Sequence, residues 1–329
     1  MATYKGIKGV KVQSKASDPT ASEADGTVWY NTATSLLKYS IDAGGAWSSA
    51  SNLNLGRESP GGARNGTQSA GMIFGGNSPG AGYNDQTEQY NGTSWTEVND
   101  LIKGRSEVGG LGTNTAAMAV GGNYPDDGNY SEIWDGTSWS EVADLNNRRV
   151  GGQATGTTTA GIVSGGSGPS TGGTKSETWN GTSWTAVNDL SRGAPVTFYG
   201  TTCGTNTAAL YYGGGAPASA SALNEIWNGT CWSESGGDMN TGRFALMGFG
   251  ITTAALAIGG STGPGAMVGN TEKYNGSTWT ESGDLGTARD RMAGGGTTSS
   301  GVIGGGVPES NAAEEWNDPA YVIKTVTVS

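Results

Sequence analysis

The sequence predicts an all-β chain of repeated four-stranded units, the blades of a β-propeller. Three observations carry this. Tryptophans recur at a nearly constant spacing, each follows a short turn of constant chemistry, and each turn is preceded by an apolar strand ending in two glycines. Trp47, Trp95, Trp139, Trp184, Trp232 and Trp279 are separated by 48, 44, 45, 48 and 47 residues. A repeat of about 47 residues holds four short strands and their connections, the size of one propeller blade.

The turn is the most regular element. It reads Tyr90-Asn91-Gly92-Thr93-Ser94-Trp95, then Trp134-Asp135-Gly136-Thr137-Ser138-Trp139, Trp179-Asn180-Gly181-Thr182-Ser183-Trp184, Trp227-Asn228-Gly229-Thr230-Cys231-Trp232 and Tyr274-Asn275-Gly276-Ser277-Thr278-Trp279. Asn-Gly or Asp-Gly between aromatics is a strong hairpin signal, because both turn positions favour positive φ. Asp135 in one copy marks turn chemistry as the requirement, so the Asn-x-Ser/Thr triplets read as turns and not as glycan acceptors.

The glycine-paired strands are Met72–Gly76, Met118–Gly122, Ile162–Gly166, Leu210–Gly214, Leu256–Gly260 and Val302–Gly305. Glycine at a strand end permits close backbone approach or left-handed torsions. One arginine opens each unit: Arg57, Arg105, Arg149, Arg192, Arg243 and Arg289. One glutamate stands two residues before each turn aromatic: Glu88, Glu132, Glu177, Glu225, Glu272 and Glu314. Catalytic groups are unique, whereas groups present once per unit hold units together, so these pairs are expected to brace the scaffold along with Trp95, Trp139, Trp184, Trp232 and Trp279.

An apolar strand ending in Gly-Gly, an aromatic, a tryptophan and an arginine opening the next copy together resemble the kelch family over residues 53–317. The chain departs from that pattern in its loops and in placing Ala, Gly and Thr where bulky core residues are usual. The blade count follows from the ends. Residues 35–53 repeat the hairpin around Trp47, Glu314–Asn317 is another third strand, and residues 321–328 form a last strand. Seven blades are expected, the first atypical with Val28–Asn31 as its second strand; the alternative is six blades plus an N-terminal appendage. Pairing the terminal strands in one blade would remove exposed edges. The expected division is 1–52, an N-terminal β-meander and possible attachment segment, and 53–329, the repeats with a closing strand.

In the N-terminal stretch, Asp18-Pro19-Thr20, Asp25-Gly26-Thr27-Val28-Trp29-Tyr30-Asn31-Thr32, Leu37-Lys38-Tyr39 and Trp47 form a pattern. It resembles a meander of structural proteins in tailed bacteriophages, and its combination with kelch-like repeats resembles tail-associated proteins of marine tailed phages. The resemblance implies a virion component, tail- or fibre-associated, made in the host cytoplasm without a signal peptide, with other virion proteins as partners and a homo-oligomer as an option.

Composition narrows the function. Histidine is absent, which removes imidazole bases, Ser-His-Asp triads and His-ligated metals, and with them kelch-type copper oxidases. The turn superficially resembles the sialidase Asp-box but lacks the residue between Asp and Gly. Paired carboxylates could converge from loops, yet nothing marks a unique pair, so no enzyme, cofactor or metal is expected. The net charge is −11, which opposes nucleic-acid and anionic-membrane binding, and no apolar run approaches the about 20 residues a bilayer needs. Cys203 and Cys231 make no disulfide framework; pairing and free thiols both stay open.

Variation concentrates in the loops after the glycine pairs, on one rim: 77–85, 123–130, 167–174, 216–222, 261–269 and 307–311. Loops on a rigid scaffold carry recognition. Tyr83, Asn84, Asp85, Tyr124, Asp126, Asp127 and Tyr130 supply the aromatic faces and carboxylates of a sugar-binding surface, although Asn, Asp and Gly also form turns. Asp126-Asp127-Gly128-Asn129 lacks the spaced ligands of a calcium loop. The expected function is attachment to a host surface glycan or protein; the alternatives are a capsid, neck or tail decoration protein and a cellular kelch-type adaptor.

Overall fold

A computed structural model describes residues 12–19, 27–41, 44–78, 82–124, 126–168, 173–192, 199–215, 219–308, 310–318 and 322–326. The described residues form strands and turns with no helix. They divide into two compact units, residues 1–45 with 318–329, and residues 46–317.

The first unit holds one four-stranded sheet ordered Gln13–Lys15, Val28–Asn31, Leu36–Ile41 and Val322–Thr325, with the first pair parallel and the others antiparallel. Its hub is Asp18, whose carboxylate accepts hydrogen bonds from Trp29 Nε1 (3.2 Å), Asn31 Nδ2 (2.7 Å) and Lys38 Nζ (2.6 Å). The Lys38 bond first, then that of Asn31, holds the Asp18 carboxyl below its usual range. The Asp18, Trp29, Asn31 and Lys38 of the N-terminal motif are therefore one hydrogen-bonded cluster.

The second unit contains six four-stranded antiparallel sheets of one topology. The second of them is typical: Gly109–Thr113, Ala116–Val120, Ser131–Trp134 and Trp139–Glu141 pair in chain order. The first strands of the six are Gly61–Gly62, Gly109–Thr113, Gln153–Thr157, Thr201–Gly204, Met247–Ile251 and Ala293–Gly296. Each packs beside the next, and the sixth packs beside the first. Glycine permits this crowding: a Cβ at Gly110 would collide with the backbone of Gly62 in the neighbouring sheet.

The sixth sheet takes its fourth strand from the other end of the unit. Ala46–Ser49 pairs with Ala313–Asn317, and Trp47 stacks on Trp316 with ring centroids 5.2 Å apart. The expected hairpin over 35–53 therefore does not form. Its first half, Leu36–Ile41, pairs instead with Val28–Asn31 and Val322–Thr325 in the first unit. The chain leaves the repeats after Asn317 without a fourth strand of its own, and Ala46–Ser49 fills that edge. Tyr321, Thr327 and Val328 of the expected last strand lie outside the described residues.

The turns work through side chains. Tyr90 and Trp95 pair across four residues, and Asn91 Oδ1 accepts the N–H groups of Thr93 and Ser94 at 2.9 Å each. Asp135, Asn180, Asn228 and Asn275 do the same. Only the glycine of each turn has positive φ, so these are Asx-turns and not the doubly left-handed type the dipeptide suggests. Each tryptophan lies against its partner aromatic. Four of the tryptophans also reach to the preceding sheet, and Trp279 Nε1 does not: Trp139 Nε1 donates to Thr87 Oγ1 (3.0 Å), Trp184 to Ser131 Oγ (3.1 Å), Trp232 to Ser176 Oγ (3.0 Å) and Trp47 to Thr271 Oγ1 (2.9 Å). The equivalent position before Trp95 is Ala313, which offers no side-chain acceptor, and Trp95 Nε1 has none.

Candidate functional site

Two kinds of position make the site: those that are the same in every sheet, and those that are not. The repeated arginines and glutamates are the first kind. All six arginines are buried and pair within their own sheet: Arg57 with Glu88, Arg105 with Glu132, Arg149 with Glu177 (2.6 Å), Arg192 with Glu225 (3.0 Å), Arg243 with Glu272 (2.8 Å) and Arg289 with Glu314 (2.6 Å). Burial lowers the pKa of Arg149, Arg243 and Arg289, and the paired glutamates oppose that shift. Other arginine donors reach backbone carbonyls, such as Gly165 and Lys175 for Arg149. The glutamates accept backbone N–H groups of the segment before the arginine: Ile102 to Glu132 (2.7 Å) and Asn146 to Glu177 (2.8 Å). The guanidinium and carboxylate groups are enclosed by protein, so these pairs leave nothing for a ligand.

The arginine backbone ties sheet to sheet. The carbonyl of Arg105 accepts the N–H of Gly76 (2.9 Å), that of Arg149 the N–H of Gly122 (3.0 Å), and that of Arg57 the N–H of Gly306 (2.9 Å), joining sixth sheet to first. The paired glycines exist for this approach. Gly75 and Gly76 have φ of +64° and +104°, and a Cβ on Gly75 would lie 2.6 Å from the Arg105 carbonyl oxygen.

Beyond each arginine the chain enters the first strand through one residue with left-handed φ: Ser59 (54°), Glu107 (56°), Gly151 (68°), Tyr199 (50°), Ala245 (53°) and Arg291 (54°). Five of the six are not glycine, and positive φ is uncommon for such residues. Backbone hydrogen bonds from one such residue to the next join five of the six steps. Ser59 N–H donates to Arg291 O (2.9 Å), Glu107 to Ser59 (2.8 Å), Gly151 to Glu107 (3.0 Å), Ala245 to Tyr199 (2.7 Å) and Arg291 to Ala245 (2.8 Å). The backbone repeats six times while the side chains are a hydroxyl, a carboxylate, nothing, a phenol, a methyl and a guanidinium.

These six residues line a cavity of about 50 Å³, as do Arg64 and Gln153. Tyr199 lies over Gly151, where a Cβ would meet its ring at 3.0 Å. Burial first, and then the Glu107 carboxylate with its hydrogen bond, pushes the Tyr199 hydroxyl up to about 12, so it remains a phenol at neutral pH. Arg291 pairs with Glu58 at 3.1 Å on the rim.

The variable loops flank this cavity. The residue before five of these positions bridges to the start of a loop: Glu58 with Asn77, Ser106 with Asn123, Val150 with Ser167, Phe244 with Ser261 and Asp290 with Val307. Within the loops the expected ligand groups differ in role. Tyr83 is exposed (41%) on a two-stranded ribbon of Asn77–Ser78 with Gly82–Tyr83, and Asp85 is exposed. Asn84 is buried, and its amide donates to Ser78 Oγ at 2.6 Å; its backbone takes the N–H of Arg105. It holds its own loop, and unlike Tyr83 and Asp85 its side chain is buried. Asn123–Tyr124 pairs with Asp126–Asp127; the side chains of Tyr124, Asp126 and Asp127 lie outside the described residues, as do Pro79, Gly80, Ala81 and parts of the loops at 169–172, 216–218 and 309. Tyr130 is half-buried with Lys103 Nζ 3.9 Å above its ring.

Cys203 and Cys231 are free, the first buried and the second in a turn; burial pushes the Cys203 thiol up to about 12. Among the described residues no group of three or more Cys, Asp or Glu is placed to hold a metal. No protein-family model matches the chain, and no curated protein is significantly similar to it.

Proposed function

We propose that residues 46–317 are a six-bladed, kelch-like propeller of a tailed-phage virion, tail- or fibre-associated, and that it attaches to a host surface glycan or protein without catalysing a reaction. The observation that carries the attachment reading is the contrast at the cavity: six positions alike in their left-handed φ, each with a different side chain, flanked by the loops that vary most. A scaffold that repeats its braces and varies only its rim is built for recognition. Six blades are supported by six sheets of one topology whose first strands follow one another cyclically, with the Ala46–Ser49 to Ala313–Asn317 pairing as the clasp. The virion reading rests on the N-terminal motif, whose residues form the Asp18 cluster.

The second reading, decoration or assembly against other virion proteins, draws on the first unit, where Tyr30, Leu36 and Leu37 are exposed. One experiment separates the two. Labelled protein is tested for adsorption to host cells after Glu107→Ala, Tyr199→Ala and Arg291→Ala are combined, with Thr93→Ala in an exposed turn as control. Lost adsorption at an unchanged melting temperature is expected. Retained adsorption, or a defect confined to virion incorporation, would favour the assembly reading and overturn the first.

A further inference from the structure

Arg64 departs from the repeat. The register of the first strands aligns it with Gly112, Gly156, Gly204, Gly250 and Gly296, all glycines of positive φ. In the first sheet strand pairing stops after Gly62, and the position carries a guanidinium instead. That side chain crosses between sheets. Nη1 donates to Thr201 Oγ1 (2.6 Å) and to the Gly248 carbonyl (3.2 Å), and Nη2 donates to Gln153 Oε1.

Arg64 is only 8% exposed, yet no carboxylate among the described residues lies within ion-pair distance of it. Its neighbours Tyr211, Tyr212 and Cys203 are neutral at pH 7, their pKa values raised by burial. Burial lowers its own pKa to about 10, so it keeps its charge. The Nε–H has no acceptor. The same is true of Arg149, Arg243 and Arg289, but each of those faces a glutamate. Arg64 is thus a buried cation with no described carboxylate at ion-pair distance, on the wall of a cavity that Glu107 and Arg291 also line, and burial of an unpaired charge is strongly unfavourable.

We propose that the axial cavity binds a carboxylate through Arg64. Nη2 carries a second N–H beyond the one given to Gln153, and a charge-assisted bond from it would take a carboxylate oxygen, while the Nε–H stays enclosed by protein. About 50 Å³ accommodates that group alone, so the rest of a larger ligand would lie on the rim. The source is either a free small carboxylate or the carboxylate of an acidic sugar. The acidic-sugar case rests on the attachment reading above; the anion site itself does not.

The test is equilibrium dialysis of the full chain against radiolabelled acetate, at constant ionic strength in chloride. The expected result is one saturable acetate per chain, with binding lost in Arg64→Met. Glucuronate binding more tightly than acetate would identify a sugar-borne carboxylate; equal affinity would identify a free one. Should Arg64→Met fail to fold, Gln153→Glu places a carboxylate against Nη2 and supplies the counterion internally. It also loses the Nε2–H bond to Gly151 O, so its readout is the acetate response and not the melting temperature. That response should vanish. No saturable acetate in the native protein, or undiminished binding in folded Arg64→Met or Gln153→Glu, would overturn the site while leaving host adsorption to be judged separately.

Discussion

Replacing Arg105 by methionine tests whether the repeated arginine–glutamate pairs hold the scaffold. Arg105 is fully buried, and its guanidinium donates to the carbonyls of Gly121 (2.8 Å) and Lys103 (2.9 Å) as well as to Glu132. Methionine keeps much of the apolar stem but leaves the Glu132 carboxylate, 1% exposed, with only the N–H groups of Ile102 and Lys103. Removing one partner of a buried ion pair costs about 3–5 kcal/mol. Unfolding entropy of about 2.1 cal/mol/K per residue over the 46–317 unit makes that a fall of about 5–9 °C in melting temperature. Arg105→Met together with Glu132→Leu should cost less than the two single changes added, because no charge is stranded. Differential scanning calorimetry reads both. A fall under about 1 °C, or lost host adsorption at unchanged stability, would refute a structural role.

Trp139→Phe should destabilise more than Trp95→Phe by about 1 kcal/mol, since only Trp139 donates to a side chain of the preceding sheet; denaturant unfolding of both measures the difference. Gly75→Ala should cost about 2 kcal/mol or more, because its φ is left-handed and the new Cβ meets the Arg105 carbonyl, whereas Gly44→Ala has open space and only its φ to oppose. Asp135 has its pKa lowered by hydrogen bonds from the backbone N–H of Ser138 and Thr137. A depressed carboxylate contributes stability above its unfolded pKa of about 3.9 that is lost as pH falls through the folded value. Native protein should therefore lose stability relative to Asp135→Asn below about pH 4, and melting curves with no pH-dependent difference would contradict this.

What was legible in the sequence was whatever recurs from sheet to sheet. The turns, the glycine pairs and the Arg–Glu partners all stand in the structure where their spacing put them, because each is fixed by local backbone geometry. Two things resisted. The hairpin around Trp47 looked continuous with residues 35–41, but strand pairing is set by which edge is open, and Ala46–Ser49 found its partner about 270 residues away. The cavity was invisible because the six left-handed residues that line it share a φ and no chemistry; the constant two-residue offset from arginine was the available signal, and the insertion at 193–198 hides it in the fourth repeat. Arg64, Arg148 and Arg291 were the arginines left over when the repeated ones were set aside, and two of these three line the cavity. The burial of Asn84 was not legible because a loop asparagine that braces its own turn looks the same in sequence as one that faces solvent.

The central claim, attachment by a virion protein, is tested most directly by immunogold electron microscopy of particles with antibody to this chain. The account predicts label at distal tail tips, reduced when host cell-surface material is bound first. Label on the capsid or neck alone would contradict attachment, and absence from particles would contradict the virion assignment altogether.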